Sequence, residues 1–209
     1  MDLTLYVLTD IKVSGRTHEE QAEAALSGGA TAIQLREKSM PAGDVVAIGR
    51  RIAAICRRWN ALFIVNDRAD LAVECGAGGV HVGPDDLAVS AARRVVGDGR
   101  IVGASAGTID EAQRAQSEGA DYLGVGSVFA TSAKPDAGEP IGIAGLAQII
   151  DAITIPVVGI GGITADNAAA VLRAGAAGVA VITAVVGQDD IAAAARRLRE
   201  RIDAARNGR

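Results

Sequence analysis

Aromatic side chains are nearly missing from this chain: two Phe, two Tyr and one Trp amount to 2% of its residues. A buried core must therefore be assembled from Ala, Val, Ile and Leu, which the 49% hydrophobic content supplies. Cysteine is scarce too. Cys56 and Cys75 stand apart with no metal-ligand spacing, which excludes a disulfide scaffold or zinc ribbon and leaves reduced thiols of a cytoplasmic protein as the expectation. Positive charge is not in excess, with 21 Lys and Arg against 25 Asp and Glu. The net charge of -4 argues against nucleic acid as the main partner, so any anionic ligand must meet a local cluster of cations. No apolar run reaches membrane-spanning length, and no signal-peptide pattern opens the chain. A cytoplasmic protein with neither nucleic-acid nor membrane partners is the expectation. Proline is rare at 5 residues while glycine reaches 26, a composition of tight turns without low complexity.

What is present is a regular alternation. Short apolar runs at Leu3–Thr9, Thr31–Arg36, Leu62–Asn66, Gly79–Val82, Ile101–Ala104, Tyr122–Gly126, Pro156–Ile160 and Gly178–Ile182 read as strands. Several, such as LFIV and IPVVGI, are continuously apolar, as strands buried on both faces require. Amphipathic segments lie between them, at 17–27, 41–59, 68–75, 88–95, 109–117, 143–152, 164–173 and 189–205. Four junctions (SGGATAIQL, CGAGGVHV, EGADYLGV and AGAAGVAV) place Gly just after a helix and a strand just beyond. Gly ends a helix in the left-handed conformation, so these are short helix-to-strand turns. Eight such alternations in 209 residues predict one domain, a single (β/α)8 TIM barrel. The stretch 130–142 is too short for a domain and is a candidate active-site lid.

In this architecture the loops after the strands build the site. The second strand ends in Gln34-Leu35-Arg36-Glu37-Lys38, whose alternate members Gln34, Arg36 and Lys38 can share the barrel mouth and offer cations to phosphate oxygens. The third ends in Asn66-Asp67-Arg68 and the fourth runs from His81 to Asp85-Asp86, bringing carboxylates to one rim. Asp67 with Asp86 suits Mg2+, which takes one or two carboxylates plus waters and substrate phosphates. Asp85 is the alternative ligand, and helix capping is the alternative role for both Asp85 and Asp86. His81 reads either as an interior hydrogen-bonding residue or as a base, and His18, beside two glutamates at a helix start, as a surface residue. After the sixth strand, Gly126 to Lys134 is a hydroxyl-rich loop that could hold an anion. After the seventh, Gly159-Ile160-Gly161-Gly162-Ile163-Thr164 leads into a helix, and Thr183-Ala184 follows the eighth. Free amides there are expected to cradle a phosphate. Two anion sites at one rim suggest two small phosphorylated substrates, or one phosphorylated at both ends.

The ordered motifs QLREK, VNDR, HVGxxDL, GxSxxT, GxxFxTxxK and GIGGI span essentially the whole chain and closely resemble the thiamine-phosphate synthase family. That resemblance implies a Mg2+-dependent transferase that joins an aminopyrimidine methyl diphosphate to a thiazole phosphate, giving thiamine monophosphate and pyrophosphate. It further implies that Gln34, Leu35, Arg36, Glu37, Lys38, Asn66, Ser105 and Lys134 hold the pyrimidine diphosphate, with Arg36, Lys38, Lys134 and Ser105 assisting catalysis. Asp67 and Asp86 would bind the metal, and Thr131, Ser132, Ala133, Gly162, Ile182 and Thr183 the thiazole phosphate. The chain departs from the family pattern at Pro84, Gly107, Ser127, Ala133 and Thr183. A thiazole tautomerase-like paralogue and a non-catalytic phosphate-binding barrel are the alternatives. The intact Arg36, Lys38 and Asp67 set and Gly107, where the paralogue is expected to carry His, weigh against the first. The sequence leaves the oligomeric state, including a homo-oligomer, open.

Overall fold

The computed structural model describes residues 1–131 and 139–208. Eight parallel strands close into a barrel in sequence order: β1 (Leu5–Thr9), β2 (Ala32–Leu35), β3 (Leu62–Asn66), β4 (Gly79–Val82), β5 (Ile101–Ala106), β6 (Tyr122–Val125), β7 (Val157–Ile160) and β8 (Gly178–Val181). The helices among the described residues are α1 (Ile11–Ser14), α2 (His18–Ser27), α3 (Ala42–Arg58), α4 (Ala69–Glu74), α5 (Val89–Val96), α6 (Ile109–Ser117), α7 (Gly142–Asp151), α8 (Ala168–Arg173) and α9 (Ile191–Asn207). This is the (β/α)8 barrel that the alternation predicts. None of these helices is long and apolar enough to cross a membrane.

The junction glycines behave as expected. Gly29, Gly76, Gly119 and Gly175 all have positive φ, between 68° and 106°, at the helix-to-strand turns. Two elements differ from the sequence reading. The short α1 was not anticipated; Asp10 caps it by accepting from the Lys12 amide at 2.9 Å, and Gly15 closes it at φ 69°. The helix expected from Thr164 begins only at Ala168, because Asn167 folds the preceding residues into a turn. Its Oδ1 accepts from the Thr164 amide at 2.8 Å and its Nδ2 donates to the Gly162 carbonyl at 2.9 Å.

Strand alternation divides the core into two layers. Leu5, Val7, Ile33, Leu35 and Val65 face outward and pack beneath the helices. Tyr6, Leu8, Ile64, Tyr122, Val158 and Ala180 fill the interior. The interior admits the Tyr122 ring only because Gly103 stands opposite: a Cβ there would lie 2.2 Å from the Tyr122 ring. The register places Leu8 beside Gln34, Asn66 beside His81, and Ser105 beside Gly124, so polar side chains collect toward the C-terminal end of an otherwise apolar barrel.

Candidate active site

A cavity of about 240 Å3 opens at that end of the barrel. Of the residues expected at the site, Gln34, Arg36, Asn66, Ser105, Thr131, Gly162, Ile182 and Thr183 line it. Pro84, Gly107 and Ser127, three of the departures from the family pattern, line it as well. Lys134, Ser132 and Ala133 lie outside the described residues, as does the middle of the candidate lid 130–142.

One side of the rim is charged. Arg36 reaches Asp10, Nη1 to Oδ2 at 2.5 Å, and Lys38 reaches Asp67, Nζ to Oδ2 at 3.3 Å. Asp67 takes a left-handed backbone (φ 63°), and its amide donates to the His81 carbonyl at 2.8 Å, which ties the end of β3 to β4. Burial and the adjoining Asp86 carboxylate push the Asp67 carboxyl above its usual range, and Lys38 offsets part of that rise. Asp86 is held in place by the Gly83 amide, which donates to its Oδ2 at 2.7 Å. Helix capping is not its role, nor that of Asp85: the residue at the α5 N-cap is Ala88, with no side-chain cap. These two adjoining carboxylates could together hold a divalent cation. Among the described residues no third His, Cys, Asp or Glu joins them.

Three members of QLREK are placed differently from the expectation: Lys38, paired with Asp67, does not line the cavity, and neither do Leu35 and Glu37. Leu35 is 1% exposed and packs in the outer layer, because its position in β2 points away from the interior. The Glu37 side chain does not line the cavity. Its Oε1 accepts from the Ser39 amide at 2.6 Å, the Ser39 hydroxyl at 2.7 Å and the Met40 amide at 3.2 Å, and its Oε2 meets His18 Nε2 at 3.3 Å. Burial opposes ionisation of this carboxyl, but those hydrogen bonds outweigh it and hold the group down at about 2. His18 is thereby corrected from a surface residue to a buried one. It is 1% exposed and bridges Glu37 and the Thr9 hydroxyl, the latter at 2.7 Å from Nδ1.

The other side of the rim is built from main chain. The stem of the loop after β6 is sewn to the loop after β7: the Val128 amide donates to the Ile160 carbonyl at 2.8 Å and that of Phe129 to Gly161 at 3.0 Å. This contact dictates Gly162, whose φ is 63° and where a Cβ would stand 2.4 Å from the Ala130 carbonyl oxygen. After β8 the Val186 amide turns back to the Ile182 carbonyl at 2.9 Å. Among the described residues, the amides of Gly162, Thr183 and Ala184 have no acceptor, so this neutral edge can take up an anion. The helix N-terminus expected to assist is not there, since α8 starts at Ala168.

Beneath the rim runs a polar chain. Gln34 Nε2 donates to the Tyr6 hydroxyl at 2.6 Å, which meets the Tyr122 hydroxyl at 3.0 Å. Tyr122 meets His81 Nδ1 at 2.9 Å, and His81 Nε2 meets the Ser105 hydroxyl at 3.0 Å. His81 is thus an interior hydrogen-bonding residue, one of the two roles its sequence position left open. Sequence reasoning passed over Tyr6, Tyr122 and Asp10. The strand-end position of Asp10, directly after β1, is a signal that could have found it.

Comparison with known proteins is consistent along the chain. A family model described as thiamine monophosphate synthase matches residues 5–185. The thiamine-phosphate synthase of Moorella thermoacetica is 56% identical over 203 residues, covering 97% of each chain. That of Methanoculleus marisnigri is 51% identical over 207 residues, covering 99% of this chain and 98% of the relative. The solved structure of a thiamine phosphate pyrophosphorylase from Pyrococcus furiosus superposes with a TM-score of 0.91 at 43% identity, covering 97% of this chain and 96% of that one.

Proposed function

The chain is an enzyme of the thiamine monophosphate synthase family, and on that premise we propose that it joins an aminopyrimidine methyl diphosphate to a thiazole phosphate with Mg2+, forming thiamine monophosphate and releasing pyrophosphate. One observation carries this reading. A single cavity connects the two halves of the rim, with Gln34, Arg36, Asn66 and Ser105 on one side and Gly162, Ile182 and Thr183 on the other.

The pyrimidine sits on the Gln34 side. Gln34 Oε1 is buried without a partner, an acceptor available to the exocyclic amino group. Arg36 is held against the cavity wall by Asp10 and faces the diphosphate as a preset fork of donors. Lys38 lies beside Asp67 at the metal edge, and Lys134 joins the same diphosphate by the family resemblance. Asp67 and Asp86 would hold Mg2+, which when bound supplies charge neutralisation for the departing pyrophosphate.

The residues of the chain then have three tasks. Arg36 and Lys38 stabilise negative charge growing on the leaving group, the kind of preorganised electrostatics worth several powers of ten in many enzymes. The aminopyrimidine, held by Gln34, stabilises the benzyl-like cation left behind. The amides of Gly162, Thr183 and Ala184 fix the thiazole phosphate so that its ring nitrogen captures that cation by proximity. No side-chain nucleophile is needed. The experiment that tests this function supplies both substrates and Mg2+ to the purified protein. Thiamine monophosphate and pyrophosphate form together, whereas binding of both substrates without coupling would refute it.

A further inference from the structure

We propose that Tyr122 is a positioning residue that sets the hydrogen-bonding polarity of both ends of the cavity floor at once, fixing Gln34 as an acceptor through Tyr6 and Ser105 as a donor through His81. The proposal rests on the reading of this cavity as the pyrimidine site.

Five side chains from five strands form one unbroken chain, Gln34–Tyr6–Tyr122–His81–Ser105, at 2.6, 3.0, 2.9 and 3.0 Å. Tyr6 and Tyr122 are 1% and 0% exposed, and burial raises both phenols far above their ordinary range. Each hydroxyl therefore stays protonated and has a single proton to give. Gln34 Nε2 donates to Tyr6, and we take the Tyr6 proton as given to the Tyr122 hydroxyl, which it meets at 3.0 Å. The Tyr122 proton then has one acceptor, His81 Nδ1. An imidazole carrying one proton must hold it on Nε2, where it is donated to the Ser105 oxygen. The Ser105 proton is left for the cavity that Ser105 lines. At the opposite end the Gln34 amide shows its unpartnered Oε1.

With the Tyr6 proton given to Tyr122, each later link takes its direction from the one before it. Turning the Gln34 amide over would reverse all four bonds, move the His81 proton to Nδ1, and exchange donor for acceptor at both ends. The chain has two states, and the one with Gln34 Nε2 on Tyr6 would accept from a ligand amino group at Gln34 Oε1. A ligand bearing an oxo group in that place would meet oxygen against oxygen, and could be accommodated only by reversing the whole chain. Tyr122 does not line the cavity, so its effect on the ligand passes entirely through its neighbours. Deleting its hydroxyl uncouples the two ends.

The test has one arm that needs no substrate. In 15N-histidine-labelled protein, His81 is expected as the Nε2–H tautomer, in Tyr122→Phe as a mixture, and in Tyr6→Phe, which leaves the Tyr122 hydroxyl on His81 Nδ1, still as Nε2–H. The second arm compares binding of the aminopyrimidine diphosphate with its oxo analogue. The preference for the amino form should shrink about 10-fold in either variant, on the order of one net hydrogen bond. General structural damage would instead weaken both ligands together. His81 protonated on Nδ1 in the parent protein or in Tyr6→Phe, an unchanged tautomer in Tyr122→Phe, or an unchanged preference in either variant would overturn the proposal. Failure to couple substrates with the tautomer result intact would overturn the proposed activity and leave the relay standing.

Discussion

The Arg36 guanidinium and the Asp10 carboxylate meet at 2.5 Å across the ends of β2 and β1, with the Asp10 side chain only 10% exposed. Asp10 is itself fixed twice more, capping α1 through the Lys12 amide and donating its own amide to Gln21 Oε1 at 2.8 Å. The cation that faces the cavity is therefore aimed by a group that never needs to touch a substrate.

Replacing Asp10 should consequently injure diphosphate handling. Asp10→Ala frees the Arg36 fork and removes a cap, costing about 1–3 kcal/mol of stability. The expected kinetic effect is a drop of about 10- to 100-fold in kcat/KM for the pyrimidine diphosphate, with the KM for thiazole phosphate little changed. Steady-state kinetics with each substrate varied in turn checks this. Equal losses for both substrates would show that Asp10 acts only on the fold.

The metal edge gives a second expectation. Asp67→Asn and Asp86→Asn should each raise the Mg2+ concentration needed for half-maximal activity by at least about 10-fold, the loss of one anionic ligand. Asp85→Asn, on an exposed residue, should leave the titration near that of the parent protein. A chelator should abolish coupling, and added Mg2+ should restore it. A normal titration for Asp86→Asn with a lost one for Asp85→Asn would reassign the ligand.

How much of this could be read in the sequence depended on the range of the interactions. Runs such as IPVVGI and the post-helical glycines report local backbone needs, and all eight strands and the four glycine junctions lie where those signals put them. The four-residue α1 carries too little pattern to be seen, and the delayed start of α8 follows from one side chain, Asn167. His18 has glutamates as sequence neighbours, but its partners are Thr9 and Glu37 from elsewhere in the fold. The buried chain was invisible for the same reason: Tyr6 and Tyr122 are 116 residues apart. Strand-end position did bring most of the site residues to light, since Gln34, Arg36, Asn66 and Thr183 all line the cavity. Gly162 was legible as glycine at a phosphate loop, yet the close approach of Ala130 requires glycine there whether or not a ligand binds.

Acid should loosen the loop after β2. Glu37 is held down at about 2 from an ordinary 4.5, so it binds a proton more weakly in the folded chain than in the unfolded one. Its contribution is complete above pH 4.5 and is lost as the pH falls toward about 2. Glu37→Gln should therefore melt earlier than the parent at neutral pH, with the gap closing as the pH drops through that window. Thermal melts at a series of pH values measure it, and a gap that stays constant would mean the carboxylate charge contributes nothing.

The central claim is that one cavity brings two phosphorylated substrates together and joins them. Its most direct measurement follows the purified protein by 31P NMR with the pyrimidine diphosphate, the thiazole phosphate and Mg2+, and again with each component omitted. Thiamine monophosphate and pyrophosphate should appear in equal amounts, and only when all three are present. Both substrates bound with no new phosphorus signal, or pyrophosphate released with no thiamine monophosphate, would contradict it.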